Sequence, residues 1–357
     1  MYFDPKIAGI QRYLINDIDR SSFIRLDKNE FNVEFPTVLL DDIKDSVSSY
    51  LLQAYPSTYK TQEYASELLE YRHPENILLV SGSDFGLKLC YESLIPLHGK
   101  VAIPTPTYAM NEVYATLANA SIVTLTYNND MLLNKEGIWD KVKSADMIVL
   151  ANPNQPTGLL EDDNFIQELL KKARDANCWV VIDEAYYSFS GYSTCQYIDT
   201  YENLIVLRSF SKSYGIAGLR LGAILSSQKN IDYIAKVMPV YNVNSIALKL
   251  LEVFSEHKDY FDNLHQEMVQ QRNDIIDYYR SLGCQPYGSH TNFVMVETNG
   301  EIDVLDYQNF LKEKSILIRG PWTQPPYKNA FRITLSDKAS IQKLFEMTDL
   351  YIKGLKK

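Results

Sequence analysis

The stretch MIVLANPNQPTGLLEDDNFIQELLKKA, residues 147–173, holds the fold in miniature. Met147, Ile148, Val149 and Leu150 form a short apolar run that reads as a buried strand. Asn152 to Gly158 are seven polar or chain-breaking residues in a row, and the segment after them reads as a helix. Strand, tight turn and helix make half of a βαβ unit. A plain connector needs only one or two breaking residues, so this turn is a candidate for chemistry as well as for folding.

The same alternation runs outward from it. NILLV (76–80), KVAI (100–103) and SIVTL (121–125) precede it, and CWVVID (178–183), NLIVL (203–207) and RLGAIL (220–225) follow, mostly with amphipathic stretches between them. Such alternation predicts an α/β fold with a mostly parallel sheet covered by helices on both faces. Ligands of such sheets sit at the carboxyl ends of the strands. Beyond residue 245 the pattern changes to a long helical stretch ending at Gly283, then shorter strands at 292–297, 315–320 and 330–336. This reads as a smaller α+β domain. The expected division is an N-terminal arm over 1–45, contributing to the small domain, a large domain over 46–245 and a small domain over 246–357.

Composition narrows the function. The chain has 357 residues, 46% hydrophobic and 22% charged, an ordinary globular balance. Its net charge of −10 argues against a broad nucleic-acid footprint but leaves room for a local anion site. Cys90, Cys178, Cys195 and Cys284 lack CxxC spacing, and the five histidines lack HExxH spacing, so no metal site is expected. No signal peptide and no membrane-spanning run are read, and the thiols suit a reducing, cytoplasmic setting.

Four polar turns follow strands. VSGSDFG (80–86) brings glycines and small hydroxyls to a helix start, suiting a phosphate, although Ser83 or Asp84 acting as a helix cap explains it equally simply. The second is the opening turn. In VVIDEAYYSF (180–189), Asp183 ends an apolar strand, where a carboxylate needs a cation, a donor or a turn to cap. In LRSFSKSYGIAGLRLG (207–222), Lys212 stands among Ser209, Ser211 and Arg220. There is neither a GxGxxG nor a GxxxxGK[ST] pattern there. A lone lysine is usually a solvated surface residue, but lysine also bonds covalently to carbonyl compounds once it loses its proton. An amine, a phosphate cradle and a buried carboxylate together are what pyridoxal phosphate requires. The acidic EDDN (161–164) reads as first-turn acids of the next helix rather than a metal site.

From RLDKNEFN to FRITLS, these motifs in this order resemble the fold-type-I pyridoxal-phosphate-dependent aminotransferases, and most of all their histidinol-phosphate aminotransferase branch. The resemblance implies a seven-stranded, mostly parallel sheet between helices in the large domain, and a homodimer with shared active sites. It implies that Lys212 is the Schiff-base lysine and moves the proton at the substrate Cα. Ser209, Ser211, Arg220 and backbone N–H groups near Ser83, Asp84 and Phe85 would bind the cofactor phosphate. Asp183 would pair with the ring nitrogen, Tyr186 would hydrogen-bond the ring hydroxyl oxygen, and Tyr108 would stack on the ring. Tyr55 would reach the partner's cofactor phosphate. Arg332, Arg319 and Tyr13 would meet the substrate. The motif departs from the family in three places: GSDF for GSDE, NEFN for NENP, and Gln155 where Asn usually precedes PTG. The ring-oxygen contact then falls to Gln155, with Asn154 or a water as alternatives. The reaction implied is amino transfer between glutamate and a phosphorylated or otherwise anionic oxo compound. The alternative is decarboxylation of a phosphorylated amino acid such as phosphoserine or phosphothreonine.

Overall fold

The fold is described from a computed structural model and covers residues 3–10, 18–128, 130–323, 327 and 329–355. Twelve strands among these residues form two sheets. The first sheet holds β2 (Ile77–Val80), β3 (Lys100–Pro104), β4 (Ser121–Leu125), β5 (Met147–Ala151), β6 (Trp179–Asp183), β7 (Leu204–Ser209) and β8 (Gly222–Leu225). Their spatial order is β2-β8-β7-β6-β5-β3-β4. The core strands β5, β6 and β7 are apolar along most of their length because both faces are buried, with Met147, Ile148, Val180, Ile182 and Val206 wholly inaccessible, and the polar Asp183, Arg208 and Ser209 come at their carboxyl ends. All pairings are parallel except those of β8, which runs antiparallel to both β7 and β2. Strand β2 therefore points the same way as β7. The carboxyl ends of β2, β7, β6, β5 and β3 all meet one edge, which gathers the four polar turns.

The second sheet is ordered β1-β11-β12-β10-β9, with β1 (Ile24–Leu26), β9 (Gln285–Pro286), β10 (Phe293–Glu297), β11 (Ile316–Trp322) and β12 (Ala330–Thr334). The N-terminal segment thus adds a parallel edge strand to it, Ile24 opposite Ile316. The helical stretch after residue 245 is two helices, Ser245–Glu256 and Lys258–Ser281, broken at His257. Expected as one helix, it splits where the His257 backbone N–H turns back to Phe254 and Ser255 instead of continuing the ladder. All four cysteines are unpaired and buried. Among the described residues, no helix is long and apolar enough to cross a membrane and no cluster of His, Cys, Asp or Glu has the makings of a metal site.

Candidate active site

Where the strand ends meet, a cavity of about 1570 Å³ opens between the two sheets. It is larger than a typical small-molecule pocket of roughly 300–1,000 Å³. Its wall includes Ser83, Asp84, Tyr108, Gln155, Asp183, Tyr186, Ser209, Ser211, Lys212, Arg220, Arg319 and Arg332. Residues spread over 250 positions of chain are brought together by the shared strand edge.

Lys212 lies on the short helix Phe210–Ser213, directly after β7. Its Nζ is 3.4 Å from the Lys28 carbonyl oxygen and forms no ion pair with a carboxylate among the described residues. Burial, and then the nearby Arg332 and Arg220, push its pKa down from the ordinary lysine value to about 8. The neutral amine is the nucleophile, and it prevails above that pKa. The rate at which the cofactor-free protein takes up an aldehyde on Lys212 is therefore expected to rise about tenfold per pH unit below 8 and level off above it. Stopped-flow absorbance checks this, and a flat profile between pH 6 and 8 would refute it.

Asp183 ends β6 and accepts the Ala185 backbone N–H at 3.0 Å. It thus caps the turn, as the plainer reading of the sequence has it, and faces the cavity as well. Burial raises its pKa to about 6; the Ala185 hydrogen bond opposes the rise, and Asp84 and Glu184 add to it. A carboxylate that burial disfavours in this way is stabilised by a protonated nitrogen placed beside it.

A cradle forms between β2 and β8. Gly82 takes φ +84° as the N-cap of the helix Ser83–Leu94, which has no side-chain cap, so neither Ser83 nor Asp84 plays that part. A Cβ on Gly82 would lie 2.7 Å from an Arg220 guanidinium nitrogen, and one on Gly222 would collide with the Ser83 backbone nitrogen. Both glycines are therefore needed for backbone and guanidinium to converge. Uncapped N–H groups, the positive helix end, Arg220 and the hydroxyls of Ser209 and Ser211 make an anion-binding corner. Phe85 packs its ring into the core beneath, so only its backbone is available there. Asp84 accepts hydrogen bonds from Tyr108 at 3.0 Å and Tyr114 at 2.8 Å, which holds Tyr108 against the cavity. An amine of lowered pKa, a buried carboxylate of raised pKa and an anion cradle fit pyridoxal phosphate.

In the opening turn, Gln155 lines the cavity. Asn154 turns inward, its amide shared between Thr107 at 3.2 Å and Thr157 at 3.3 Å, and it does not line the cavity. The Tyr186 hydroxyl donates to Gln155 Oε1 at 2.7 Å and accepts from Asn29 Nδ2 at 2.9 Å. Arg319 and Arg332 also line the cavity and face each other across β11 and β12. Arg332 is only 6% exposed, donates to the Asp27 carbonyl at 3.1 Å, and stacks near Phe293 and Trp322. It is not the exposed strand residue that a plain strand pattern permits.

One expected residue lies elsewhere. Tyr55 is 77% exposed and stacks on Tyr241 with ring centroids 4.3 Å apart, outside the cavity. Tyr13 lies outside the described residues. Asp162 caps the helix Asp163–Asp175 by accepting the Phe165 N–H at 2.8 Å. Sequence reasoning did not single out Asn29, Lys28 or Thr107. Only the NEFN departure marked the segment that supplies the first.

The aminotransferase class I and II profile matches residues 21–347. Among curated proteins, the histidinol-phosphate aminotransferase of Caldanaerobacter subterraneus is 33% identical over 341 residues, covering 93% of each chain. Histidinol-phosphate aminotransferase 1 of Carboxydothermus hydrogenoformans is 34% identical and covers 83% of this chain and 84% of its own. Among solved structures, the histidinol-phosphate aminotransferase of Sinorhizobium meliloti in complex with pyridoxal-5'-phosphate superposes with a TM-score of 0.85. It is 22% identical, covering 99% of this chain and 98% of that one. The L-threonine-O-3-phosphate decarboxylase of Porphyromonas gingivalis superposes with a TM-score of 0.78 at 19% identity, covering 92% and 99%.

Proposed function

Because the chain belongs to the aminotransferase class I and II family, we propose that it uses pyridoxal phosphate to move an amino group between glutamate and a phosphorylated oxo compound. The histidinol phosphate pair is the first candidate, after the names of its relatives. The observation that carries the anionic substrate is the Arg319–Arg332 pair, which lines the same cavity as Lys212 in an otherwise acidic protein.

The cofactor, when bound, supplies an electron-withdrawing ring that weakens the bonds at the substrate Cα. The chain supplies the rest. Gly82, Ser83, Ser209, Ser211 and Arg220 hold its phosphate, and Asp183 keeps the ring nitrogen protonated. Lys212 anchors the aldehyde and carries the proton at Cα, a task suited by an amine with a pKa near working pH. Arg332, pinned by Asp27 and two aromatic rings, orients a substrate anion without rotating to find it.

Glutamate added to the holoenzyme is expected to convert the bound cofactor to its amine form, and the phosphorylated ketone to restore it. Release of carbon dioxide from phosphothreonine with no keto product would replace this reading with a decarboxylase. Arg332→Met is expected to lower kcat/KM for the anionic substrate about 10²–10³-fold, the loss of one charge-assisted contact. An unchanged kcat/KM would remove Arg332 from the site.

The homodimer belongs to the same proposal. Tyr50, Leu52, Tyr55, Val240 and Tyr241 are large side chains left exposed around the Tyr55–Tyr241 stack. An apolar cluster of this kind marks an interface, from which Tyr55 reaches the partner's cofactor. Sedimentation should find a dimer, and Tyr241→Glu should weaken it at least tenfold. A monomeric wild-type protein would end the idea.

A further inference from the structure

A second cavity, of about 1020 Å³, shares no lining residue with the first. The alternation of β7 separates the two: Ser209 lines the first cavity and its neighbour Arg208 the second. The helix Lys258–Ser281 lines it as well, through His265 and Arg272, two turns apart on one helix face. Both cavity arginines are buried, Arg208 at 2% exposure and Arg272 at 8%.

The two arginines differ in how the chain treats their charge. Arg208 meets the Glu184 carboxylate at 2.9 Å. Among the described residues, no carboxylate pairs with Arg272. Its Nη1 donates to the carbonyls of Phe189 at 2.9 Å and Thr291 at 3.3 Å, while its Nε is buried without a partner. Burial lowers its pKa, and no neighbouring acid offsets the effect. Arginine does not shed its proton to escape this cost. Two carbonyl dipoles ease the buried charge but do not cancel it, and an uncompensated buried charge favours an anion from outside the chain.

The surroundings select the anion. At the rim, Glu70 and Asp262 pair with Lys258, and Asp199 lies 3.8 Å from Arg72. The rim therefore holds no surplus positive charge for a phosphate dianion, and Arg272 is left as a single unbalanced cation. Tyr187, Phe189 and Val269 line the same cavity and suit an apolar body. A carboxylate matches the guanidinium fork in shape and charge. We propose that the second cavity binds a small monocarboxylate with an aromatic or apolar body, held by Arg272. The site does not depend on the cofactor reading. Phe189 lies in the turn beyond Asp183, Thr291 just precedes β10, and His265 donates to the Ser213 carbonyl, next to Lys212, at 2.7 Å. An occupant thus braces the supports of both sheets at once.

Calorimetric titration of the holoenzyme with 3-phenylpropionate tests this. Saturable binding is expected, with the neutral 3-phenylpropionamide weaker by about tenfold or more, since it lacks the charge. Arg272→Met should weaken the carboxylate by a similar factor. Arg272 also ties Phe189 to Thr291, so a second variant guards against misfolding: Val269→Trp keeps the guanidinium but fills the cavity, and it too should lose the carboxylate. The absence of saturable binding overturns the proposal, as does an amide that binds as well as the acid. Binding that survives both substitutions would belong to the first cavity and would overturn it equally. Inorganic phosphate displacing the carboxylate at equal concentration would overturn the class of ligand assigned.

Discussion

Lys212→Ala is expected to yield a folded protein that binds the cofactor only reversibly and turns over roughly 10⁴-fold more slowly or worse, since the variant loses the proposed nucleophile and proton carrier at once. The cavity explains why no other residue substitutes. Two further lysines, Lys6 and Lys28, line it, but both come from the N-terminal segment, whereas Lys212 follows β7 between Ser209 and Arg220. Its lowered pKa depends on burial beside Arg332 and Arg220, an environment a relocated amine would not share. Borohydride reduction and mass spectrometry provide the check: the wild-type peptide containing Lys212 gains the mass of the cofactor and the variant gains none. A variant that still retains the cofactor after reduction and unfolding would place the attachment elsewhere. Lys212 is partly exposed in the cavity and, among the described residues, its side-chain hydrogen bond is the 3.4 Å one to the Lys28 carbonyl, so little stability should change.

What was legible in the sequence followed from burial. The runs at 147–150, 180–182 and 204–207 read as strands because both faces of the sheet are covered, which makes them continuously apolar. Chemistry was legible where it crowded into turns, since Lys212, Asp183 and Arg220 stand in polar surroundings a connector does not need. Strand direction was not legible, because an apolar run reads the same either way; the antiparallel β8 had to be seen. The break at His257 was hidden because amphipathic residues continue on both sides of it. Asn154 and Gln155 are neighbours in a tight turn, and which amide faces the cavity depends on backbone angles that composition does not encode. Asn29 lay furthest from reach. Its part depends on a positive φ and on partners 157 and 305 residues away in the chain.

Glu184, beside Asp183, was equally silent in the sequence and has the largest expected effect on stability. It is wholly inaccessible and pairs with the buried Arg208 at 2.9 Å. Ser193 donates to the same carboxylate at 3.0 Å, and the Thr194 backbone and hydroxyl donate to its other oxygen. The Arg208 guanidinium also lies 3.4 Å from the Tyr187 ring centroid. Glu184→Ala would leave that guanidinium buried without a carboxylate, at a cost of about 3–5 kcal/mol. Its midpoint in urea should fall accordingly. The loss should also reach the site, because Glu184 anchors the loop through Thr194 to the strand end that presents Asp183. The double replacement Glu184→Met with Arg208→Met removes the stranded charge along with its partner and should recover much of the stability, since a buried ion pair is often no better than well-packed apolar residues. Without such recovery, the penalty would come from lost packing and hydrogen bonds rather than from an unpaired cation. Recovery with Asp183 still misplaced, seen as weakened cofactor binding, would show that the pair stabilises this region by charge and aligns it by geometry.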